Sequence, residues 1–268
     1  MTDCKFILGR WEDSIKNIED GTIGMVYTDP PYGMEYRSNI PGDIRWNKNQ
    51  QTISKFSKPI LNDKHGDIDF EVFAKEIYRV MKPNTYLVLH CNTIWIGKNI
   101  DKFAEAGFIY KGTVAWNKRF AIGGDIHGAM KRSWEPILYM AKGKPKMRSI
   151  EVERKGQLVV RKRIDEISDW VFQLNFDERT GFPTQKPKAL CSRMITMMSD
   201  KNDIILDPFA GSGTIGKTAK SIERNSISFE ADEKVFNKFL KDYKEIEVKK
   251  VKEEKVVKVV KNLFSDLS

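Results

Sequence analysis

Residues 203–218 read DIILDPFAGSGTIGKT, and this stretch decides the class of fold. Its apolar start predicts a short buried strand over 204–206. Glycines follow at 211, 213 and 216, and a helix is expected over 213–224. Glycines between a strand and a helix let the backbone approach a ligand at the helix N-terminus, where unpaired N–H groups point. We therefore expect a ligand-binding loop at this position.

Three known loop patterns fit this stretch. It matches a Walker A loop from Gly211 to Thr218, a dinucleotide-binding fingerprint over 211–216, and a methyltransferase cofactor loop over 207–214. An ATPase also needs a second acidic strand end for magnesium, and no separate apolar run ends in Asp-Asp or Asp-Glu. In a dehydrogenase the acidic residue stands about 20 positions beyond the glycines, whereas Glu230 follows Gly216 sooner. A carboxylate there can bind the hydroxyls of an adenosine ribose.

A second predicted strand, 23–28, ends in the tetrapeptide Asp29-Pro30-Pro31-Tyr32. Two consecutive prolines form a rigid turn whose carbonyls are not used by a helix or a sheet. The Asp29 carboxylate and the Pro30 carbonyl can then accept both hydrogens of one amino group. Tyr32 offers a flat ring on which a planar base can stack.

Apolar spacing elsewhere predicts an alternation of strands and helices. Helices are expected over 70–81, 96–106 and 187–199, and strands over 86–90 and from 108 towards 116. This alternation predicts an α/β fold with a mostly parallel central sheet and helices on both faces. Residues 33–66 are polar and contain proline and glycine, which predicts a long mobile loop next to Tyr32.

Together, these motifs resemble the amino-group DNA methyltransferases that use S-adenosylmethionine, specifically their circularly permuted β group. The resemblance implies a Rossmann-like methyltransferase fold with an inserted recognition region. The chain departs from the family pattern at Arg10, where Asp is usual, and at Trp134 and Phe182, where His is common. The segments that carry the resemblance are DPPY at 29–32, RVMKPN at 79–84, AWNK at 115–118, SWEPILYMAKGK at 133–144, FPTQKPKAL at 182–190, DPFAGSGT at 207–214 and FEAD at 229–232.

The resemblance also implies roles for individual residues. Asp29, Pro30 and Tyr32 would hold a flipped base, and Pro31 would shape the turn. The residues implied for S-adenosylmethionine are Asp207, Phe209, Gly211, Gly213 and Thr214, with Glu230 at the ribose and Thr184 and Lys186 at the methionine end.

The reaction that the resemblance implies is methyl transfer to an exocyclic amine of double-stranded DNA. The Asp form of the tetrapeptide favours the 6-amino group of adenine, and the 4-amino group of cytosine is the alternative. Methylation at the cytosine 5-carbon needs a Pro-Cys dipeptide, and none of Cys4, Cys91 and Cys191 follows a proline. We expect Cys91 to be a core residue. A non-catalytic DNA-binding regulator and a P-loop ATPase are the alternatives from other classes.

The charge of the chain points to a polyanionic partner. The 268 residues carry a net charge of +9, and residues 111–163 alone hold 14 Lys or Arg against 4 Asp or Glu, a net of +10. Such a segment is typical of a phosphate-binding surface. Arg119, Lys131, Arg132 and Arg148 are its predicted DNA contacts.

Composition and motif positions complete the expectations. No apolar run is long enough to span a membrane, and three cysteines without CxxC spacing favour a reducing, intracellular setting without a metal. The family resemblance also implies that the chain forms a homodimer. We expect four segments: a catalytic half at 1–118, a recognition insert at 119–180, a cofactor-binding half at 181–232 and a Lys/Glu-rich tail at 233–268.

Overall fold

The structure is a computed structural model that describes residues 3–32, 68–122, 132–148, 150–154, 157–161, 170–182, 184–240 and 248–249. The loop expected at 33–66 and the predicted DNA contact Lys131 lie outside these residues. The strands are β1 (Cys4–Leu8), β2 (Ile23–Thr28), β3 (Met81–His90), β4 (Ile109–Ile122), β5 (Arg132–Lys142), β6 (Ile150–Arg154), β7 (Gln157–Arg161), β8 (Ile204–Asp207), β9 (Asn225–Glu230) and β10 (Val248–Lys249). The α-helices are α1 (Trp11–Ser14), α2 (Phe70–Val80), α3 (Ile96–Glu105), α4 (Lys188–Met198), α5 (Thr214–Ser221) and α6 (Glu233–Leu240).

Eight of the strands form one mixed sheet in the order β10-β1-β9-β8-β2-β3-β5-β4. The six strands from β10 to β3 run parallel to their neighbours. β5 is antiparallel to β3, and β4 is antiparallel to β5. Strands β6 and β7 form a separate antiparallel pair. The mostly parallel sheet is therefore confirmed, with an antiparallel edge added to it.

Helices cover both faces of the sheet because neighbouring strand residues point in opposite directions. Val26 of β2 packs in one core cluster with Phe73 of α2, together with residues of α3. The next residue, Tyr27, packs in a second cluster with Leu190 of α4 and with a residue of α5. Cys91 is buried in the first cluster, as expected for a core cysteine. Among the described residues, no helix has the length and apolar character to cross a membrane.

The boundary between α2 and β3 follows local chemistry. The Asp69 side chain caps α2 by accepting hydrogen bonds from the N–H groups of Glu71 and Val72, at 3.0 and 3.2 Å. The helix ends at Val80 because Met81 is already extended. β3 therefore starts at Met81 and includes Pro83, so it is longer than the strand predicted over 86–90.

Part of the segment predicted as a recognition insert, 119–180, belongs to the central sheet. β5 lies within this segment, yet it pairs with β3 over six residues of the central sheet. Its Ile137 and Leu138 are fully buried, and Trp170 further along also belongs to a core cluster. An apolar strand of this kind is stabilised by burial in the sheet, so residues 132–142 are part of the scaffold.

The boundary predicted at 232–233 also needs correction. Residues 233–240 form α6, whose Phe236 and Phe239 are each 1% exposed. They pack with Phe6 and Ala210 in a third core cluster. β10 then extends the sheet beside β1. The first part of the expected tail is therefore folded onto the sheet, because its phenylalanines recur at helical spacing.

Candidate active site

The two motif-bearing strand ends lie side by side. β2 and β8 are parallel neighbours, paired at Met25 with Ile205 and at Val26 with Leu206. Parallel neighbours end at the same edge of a sheet, so the tetrapeptide after β2 meets the glycine loop after β8. The Thr28 hydroxyl donates a hydrogen bond of 3.0 Å to Asp207 Oδ1. This contact joins the segment predicted to be catalytic to the segment predicted to bind a cofactor.

Both oxygens of the Asp29 carboxylate have partners. Lys186 Nζ lies 2.5 Å from Oδ2, and the Tyr32 hydroxyl donates to Oδ1 at 2.7 Å. The Lys186 side chain is only 8% exposed. Burial disfavours its charged form, but the carboxylates of Asp29 and Glu135 outweigh burial and raise the pKa of Lys186. The ammonium therefore stays charged beside Asp29.

Glu135 of β5 accepts hydrogen bonds from four groups. Lys118 Nζ lies 2.6 Å from Oε2. The donors to Oε1 are His90 Nδ1 at 2.7 Å and Lys186 Nζ at 3.1 Å, and the Tyr32 hydroxyl at 3.2 Å shares its one hydrogen between Oε1 and Asp29. Burial alone would raise the pKa of Glu135, but Lys186, His90 and Lys118 hold it well below its usual range. Glu135 is therefore an ionised carboxylate.

His90, at the end of β3, completes this group of side chains. Burial and the charge of Lys186 lower its pKa, despite the opposing effect of Glu135. The imidazole is therefore neutral at pH 7, and Nδ1 carries the proton that Glu135 accepts. Nε2 then accepts from the Tyr27 hydroxyl at 3.2 Å. We call this cluster the Glu135 network (Asp29, Tyr32, His90, Lys118, Glu135 and Lys186). Every described polar side chain in it has a hydrogen-bond partner.

Asp29, His90 and Glu135 are arranged like the ligands of a metal ion, but the positive charge between the two carboxylates comes from a lysine. Ligand atoms of Asp29, His90 and Glu135 lie within 4.8 Å of one another. Lys186 Nζ sits within hydrogen-bonding distance of two of these residues. Two carboxylates and two lysines leave the network with no net charge. The arrangement favours an ammonium bridge between Asp29 and Glu135 over a bound cation.

The glycine loop after β8 has the backbone that its sequence predicts. Gly211 and Gly213 have φ values of 51° and 69°, in the left-handed region. The Gly211 N–H donates to Glu230 Oε2 at 2.9 Å. Glu230 also accepts from the Asp232 N–H at 2.8 Å, and burial raises its pKa to about 6. Thr214 is buried and opens α5, so the loop runs directly into a helix N-terminus.

Asp207 is the one buried carboxylate of this loop with a vacant acceptor. Its Oδ1 accepts from Thr28 and from the Phe209 N–H at 3.2 Å. Its Oδ2 is buried and has no hydrogen-bond partner within the described part of the chain. Burial raises the pKa of Asp207 to about 7. A buried acceptor without a partner destabilises the fold, so this oxygen is suited to accept a hydrogen bond from a bound ligand.

The two residues predicted for the methionine end, Thr184 and Lys186, differ in burial. Thr184 is exposed, whereas Lys186 is buried in the Glu135 network. The expected partner of Lys186 was a cofactor carboxylate, and the structure instead provides Asp29 and Glu135. Two buried carboxylates need a compensating charge, which explains this placement.

The residues predicted to contact DNA differ in the contacts that they already make within the protein. Arg119 has a φ of 62°, and its N–H donates to Asn117 Oδ1 at 2.7 Å, at the point where the register of β4 with β5 shifts. Arg148 forms a two-pronged ion pair with Asp200 of the loop after α4. Arg132 starts β5, and its side chain lies outside the description, as does Lys131. Trp134 is 41% exposed, so it faces the solvent.

Sequence reasoning missed Lys118, His90 and Glu135. Lys118 and Glu135 both stand in segments that carried the family resemblance, AWNK and SWEPILYMAKGK. The available signal was the charge of Glu135 within an apolar run, because a carboxylate in a buried strand needs a partner. The partner lies 45 positions away at His90, so its identity required the pairing of β3 with β5.

Comparisons with known proteins point in one direction. A family model described as DNA methylase matches residues 23–241. The type II methyltransferase M.HinfI of Haemophilus influenzae is 25% identical over 250 residues, which cover 87% of this chain and 66% of that protein. M.HpaI of Haemophilus parainfluenzae is 27% identical over 238 residues, covering 85% of this chain and 70% of that protein. The chain thus spans about two thirds of the length of these relatives.

Two solved structures share the fold. The M1.HpyAVI–SAM complex superposes with a TM-score of 0.60 at 24% identity, over 90% of this chain and 98% of that one. The cytosine-N4-specific PvuII DNA methyltransferase superposes with a TM-score of 0.64 at 18% identity, over 98% of this chain and 94% of that one. The Rossmann-like methyltransferase fold expected from the sequence is confirmed.

Proposed function

The chain belongs to the DNA methylase family, and on that premise we propose that it transfers a methyl group from S-adenosylmethionine to the 6-amino group of adenine in double-stranded DNA. The observation that carries this proposal is the contact between strand ends. Thr28 joins Asp207 to the segment that starts with Asp29, so a cofactor loop and an amine-binding turn share one edge of the sheet. Methyl transfer needs its donor and acceptor sites next to each other.

The residues after β8 fit S-adenosylmethionine, which supplies an electrophilic methyl group on a sulfonium when it is bound. Gly211 and Gly213 bring the backbone close to a ligand, and the vacant Asp207 Oδ2 can accept from a cationic donor. Glu230, at the end of the next strand, is the proposed acceptor for the ribose hydroxyls. We also assign Phe209, Thr214 and the exposed Thr184 to this site.

Asp29 and Pro30 are the proposed groups that bind the target amine. The lone pair of an exocyclic amine is delocalised into the base, so the amine is a poor nucleophile. Two acceptors on its hydrogens favour a pyramidal nitrogen and stabilise the charge that develops there. The Tyr32 hydroxyl donates to Asp29 Oδ1 in the structure, so the amine takes the place of this hydroxyl. The Tyr32 ring is then free to stack on the base.

Lys186 receives a different role from the one expected. Its ammonium lies between Asp29 and Glu135, so we propose that it fixes and neutralises the amine-binding carboxylate rather than the methionine end of the cofactor. The family resemblance of the Asp-Pro-Pro-Tyr tetrapeptide supports adenine as the substrate. The 4-amino group of cytosine is the second candidate, because the cytosine-N4-specific PvuII enzyme has the same fold.

Replacing Asp29 tests the proposal. Purified protein is incubated with unmethylated double-stranded DNA and methyl-labelled S-adenosylmethionine, and the DNA is digested to nucleosides for chromatography. We expect label in N6-methyl-2′-deoxyadenosine. In Asp29→Ala we expect a rate lower by about 100-fold or more, with cofactor affinity retained. The exposed Asp101→Asn on α3 is the matched control and keeps the wild-type rate.

Each alternative has its own result in this assay. Label in N4-methyl-2′-deoxycytidine would show that cytosine, not adenine, is the methylated base. Calorimetry separates the other classes: binding of ATP with magnesium but not of S-adenosylmethionine would favour a P-loop ATPase. Binding of DNA without any label transfer would favour a non-catalytic regulator. Near wild-type turnover by Asp29→Ala would contradict the assignment of Asp29.

A further inference from the structure

Glu135 belongs to neither of the two sequence motifs that define the proposed reaction. It lies in the first half of β5, which is separated from β2 by β3 in the sheet, and its side chain is 11% exposed. Burying a carboxylate is costly, and an apolar residue of similar size is often as good for stability. Its position therefore calls for a reason beyond packing. The reason is visible in its contacts, because two of its partners, Lys186 and the Tyr32 hydroxyl, also contact Asp29.

Resting on the proposed function, we propose that Glu135 is a positioning residue for methyl transfer, which holds the Lys186 ammonium on Asp29 Oδ2 and so leaves Asp29 Oδ1 for the target amine. A lysine side chain is flexible and its three N–H donors rotate freely. A single carboxylate would not fix its direction. Contacts of 2.5 Å with Asp29 and 3.1 Å with Glu135 fix it from two sides.

The orientation of Glu135 is fixed in turn by two further residues. Lys118 holds Oε2 at 2.6 Å, and His90 holds Oε1 at 2.7 Å. Because both oxygens are bound, the carboxylate cannot rotate without losing a hydrogen bond. His90 is held by the Tyr27 hydroxyl on its other nitrogen. Strands β3, β4 and β5 thus orient Asp29 through a chain of contacts that ends at Lys186.

The test is the rate of methyl transfer in Glu135→Gln, which keeps the size and one oxygen of the side chain. We expect a single-turnover rate lower by about 10- to 100-fold, because small displacements of a reacting group cost this much. The dissociation constants for S-adenosylmethionine and DNA should stay close to those of the wild type. Glu135→Asp should recover part of the rate. The control is Glu76→Gln, which removes a carboxylate from the Arg79 ion pair on α2 and should keep the full rate.

A double-mutant cycle separates positioning from general loss of structure. If Glu135 acts through Lys186, adding Glu135→Gln to Lys186→Met lowers the rate no further. Rate losses that multiply in the double variant, or an unchanged rate in Glu135→Gln, would overturn the proposal.

Acylation of Lys186 tests the contact without any methylation. Modification at pH 8 is followed by mass spectrometry, with the exposed Lys234 as internal reference. Glu135 raises the pKa of Lys186, so Glu135→Gln should leave more neutral amine and raise its acylation rate several-fold. Faster acylation in a protein that methylates no DNA would refute the proposed function while the Glu135 contact stands. Unchanged acylation would refute the contact itself.

Discussion

At the scale of single residues, Asp207 combines full burial with an oxygen that has no partner in the described part of the chain. Burial raises its pKa from 3.8 to about 7, so it holds a proton below that pH. A cationic ligand favours the ionised form, because a positive charge lowers the pKa of a neighbouring carboxyl. Ligand binding and proton release are therefore linked at this residue.

We predict that the affinity for S-adenosylmethionine rises with pH up to about 7 and then levels off. Below pH 7, binding must displace the proton of Asp207, and above it the carboxylate is already ionised. Calorimetry in buffers of different ionisation enthalpy measures both the affinity and the proton released. Asp207→Asn should bind more weakly and lose most of this dependence. If the affinity of Asp207→Asn keeps the same pH dependence, the titrating group is Glu230 or the ligand instead of Asp207.

Sequence alone can place side chains next to one another where they are neighbours in the chain. Asp29, Pro30 and Tyr32 are consecutive or nearly so, and a rigid turn after a strand fixes them whatever the surroundings. Glu135 was beyond reach, because its partners come from β3, β4 and the segment before α4. A charged residue within an apolar run predicts that it has a partner in the folded protein. It does not say which strand carries that partner.

At the scale of elements, the glycine loop depends on the backbone of Gly211. Its φ of 51° is unfavourable for any residue with a Cβ atom, and an added Cβ would lie 2.8 Å from the ring of Phe182. We predict that Gly211→Ala lowers the free energy of unfolding by about 1–2 kcal/mol. Urea denaturation measures this effect, and affinity for S-adenosylmethionine should fall as well.

Gly97 provides the matched control for this substitution. It lies in α3 with no atom within 4 Å of an added Cβ, so Gly97→Ala should stabilise the protein by about 0.5–1 kcal/mol. Equal effects of the two substitutions would contradict the role given to Gly211.

Helix α6 gives a second prediction for an element. Phe239 is buried, and its ring lies 5.8 Å from that of Phe182, which precedes the segment of Thr184 and Lys186. Phe239→Ala should lower the free energy of unfolding by about 3–5 kcal/mol, the usual cost of removing a buried aromatic ring. Thermal and urea unfolding measure it, against Lys234→Ala on the exposed side of the helix. A loss below 1 kcal/mol would return α6 to the status of a loosely attached tail.

Periodicity predicted most elements and failed for β5. Helix α2 and strand β8 agree with their predicted ranges to within one residue. The apolar run of β5 falls inside the recognition insert expected at 119–180, which rests on the +10 charge of residues 111–163 and on the family resemblance. Charge at strand ends and burial in the strand middle are compatible, since a strand crosses from solvent through the core and out again. The antiparallel pairing with β3 shows that β5 belongs to the buried sheet.

At the scale of the whole molecule, charge should control DNA binding. A basic segment that contacts phosphates releases counterions, so we predict affinity that falls steeply with salt. Arg119→Ala should reduce the slope of log affinity against log salt by about 1. Arg148→Ala should have a smaller effect, because Asp200 already pairs with this side chain. Fluorescence anisotropy over a salt series measures both, and equal slopes for wild type and Arg119→Ala would exclude Arg119 as a phosphate contact.

The position of β1 in the sheet has a consequence for synthesis. β1 lies between β9 and β10, and the Asp3 N–H bonds to Asn225 Oδ1 across a sequence separation of 222 residues. At translation rates of about 5–20 residues per second, β1 leaves the ribosome roughly 10–40 s before β9 exists. During that interval Phe6 and Ile7 have no strand to cover them, and a chaperone that binds apolar segments has time to act. A released chain truncated before residue 225 should therefore be open to protease cleavage within 4–8, and the full-length chain should be protected there.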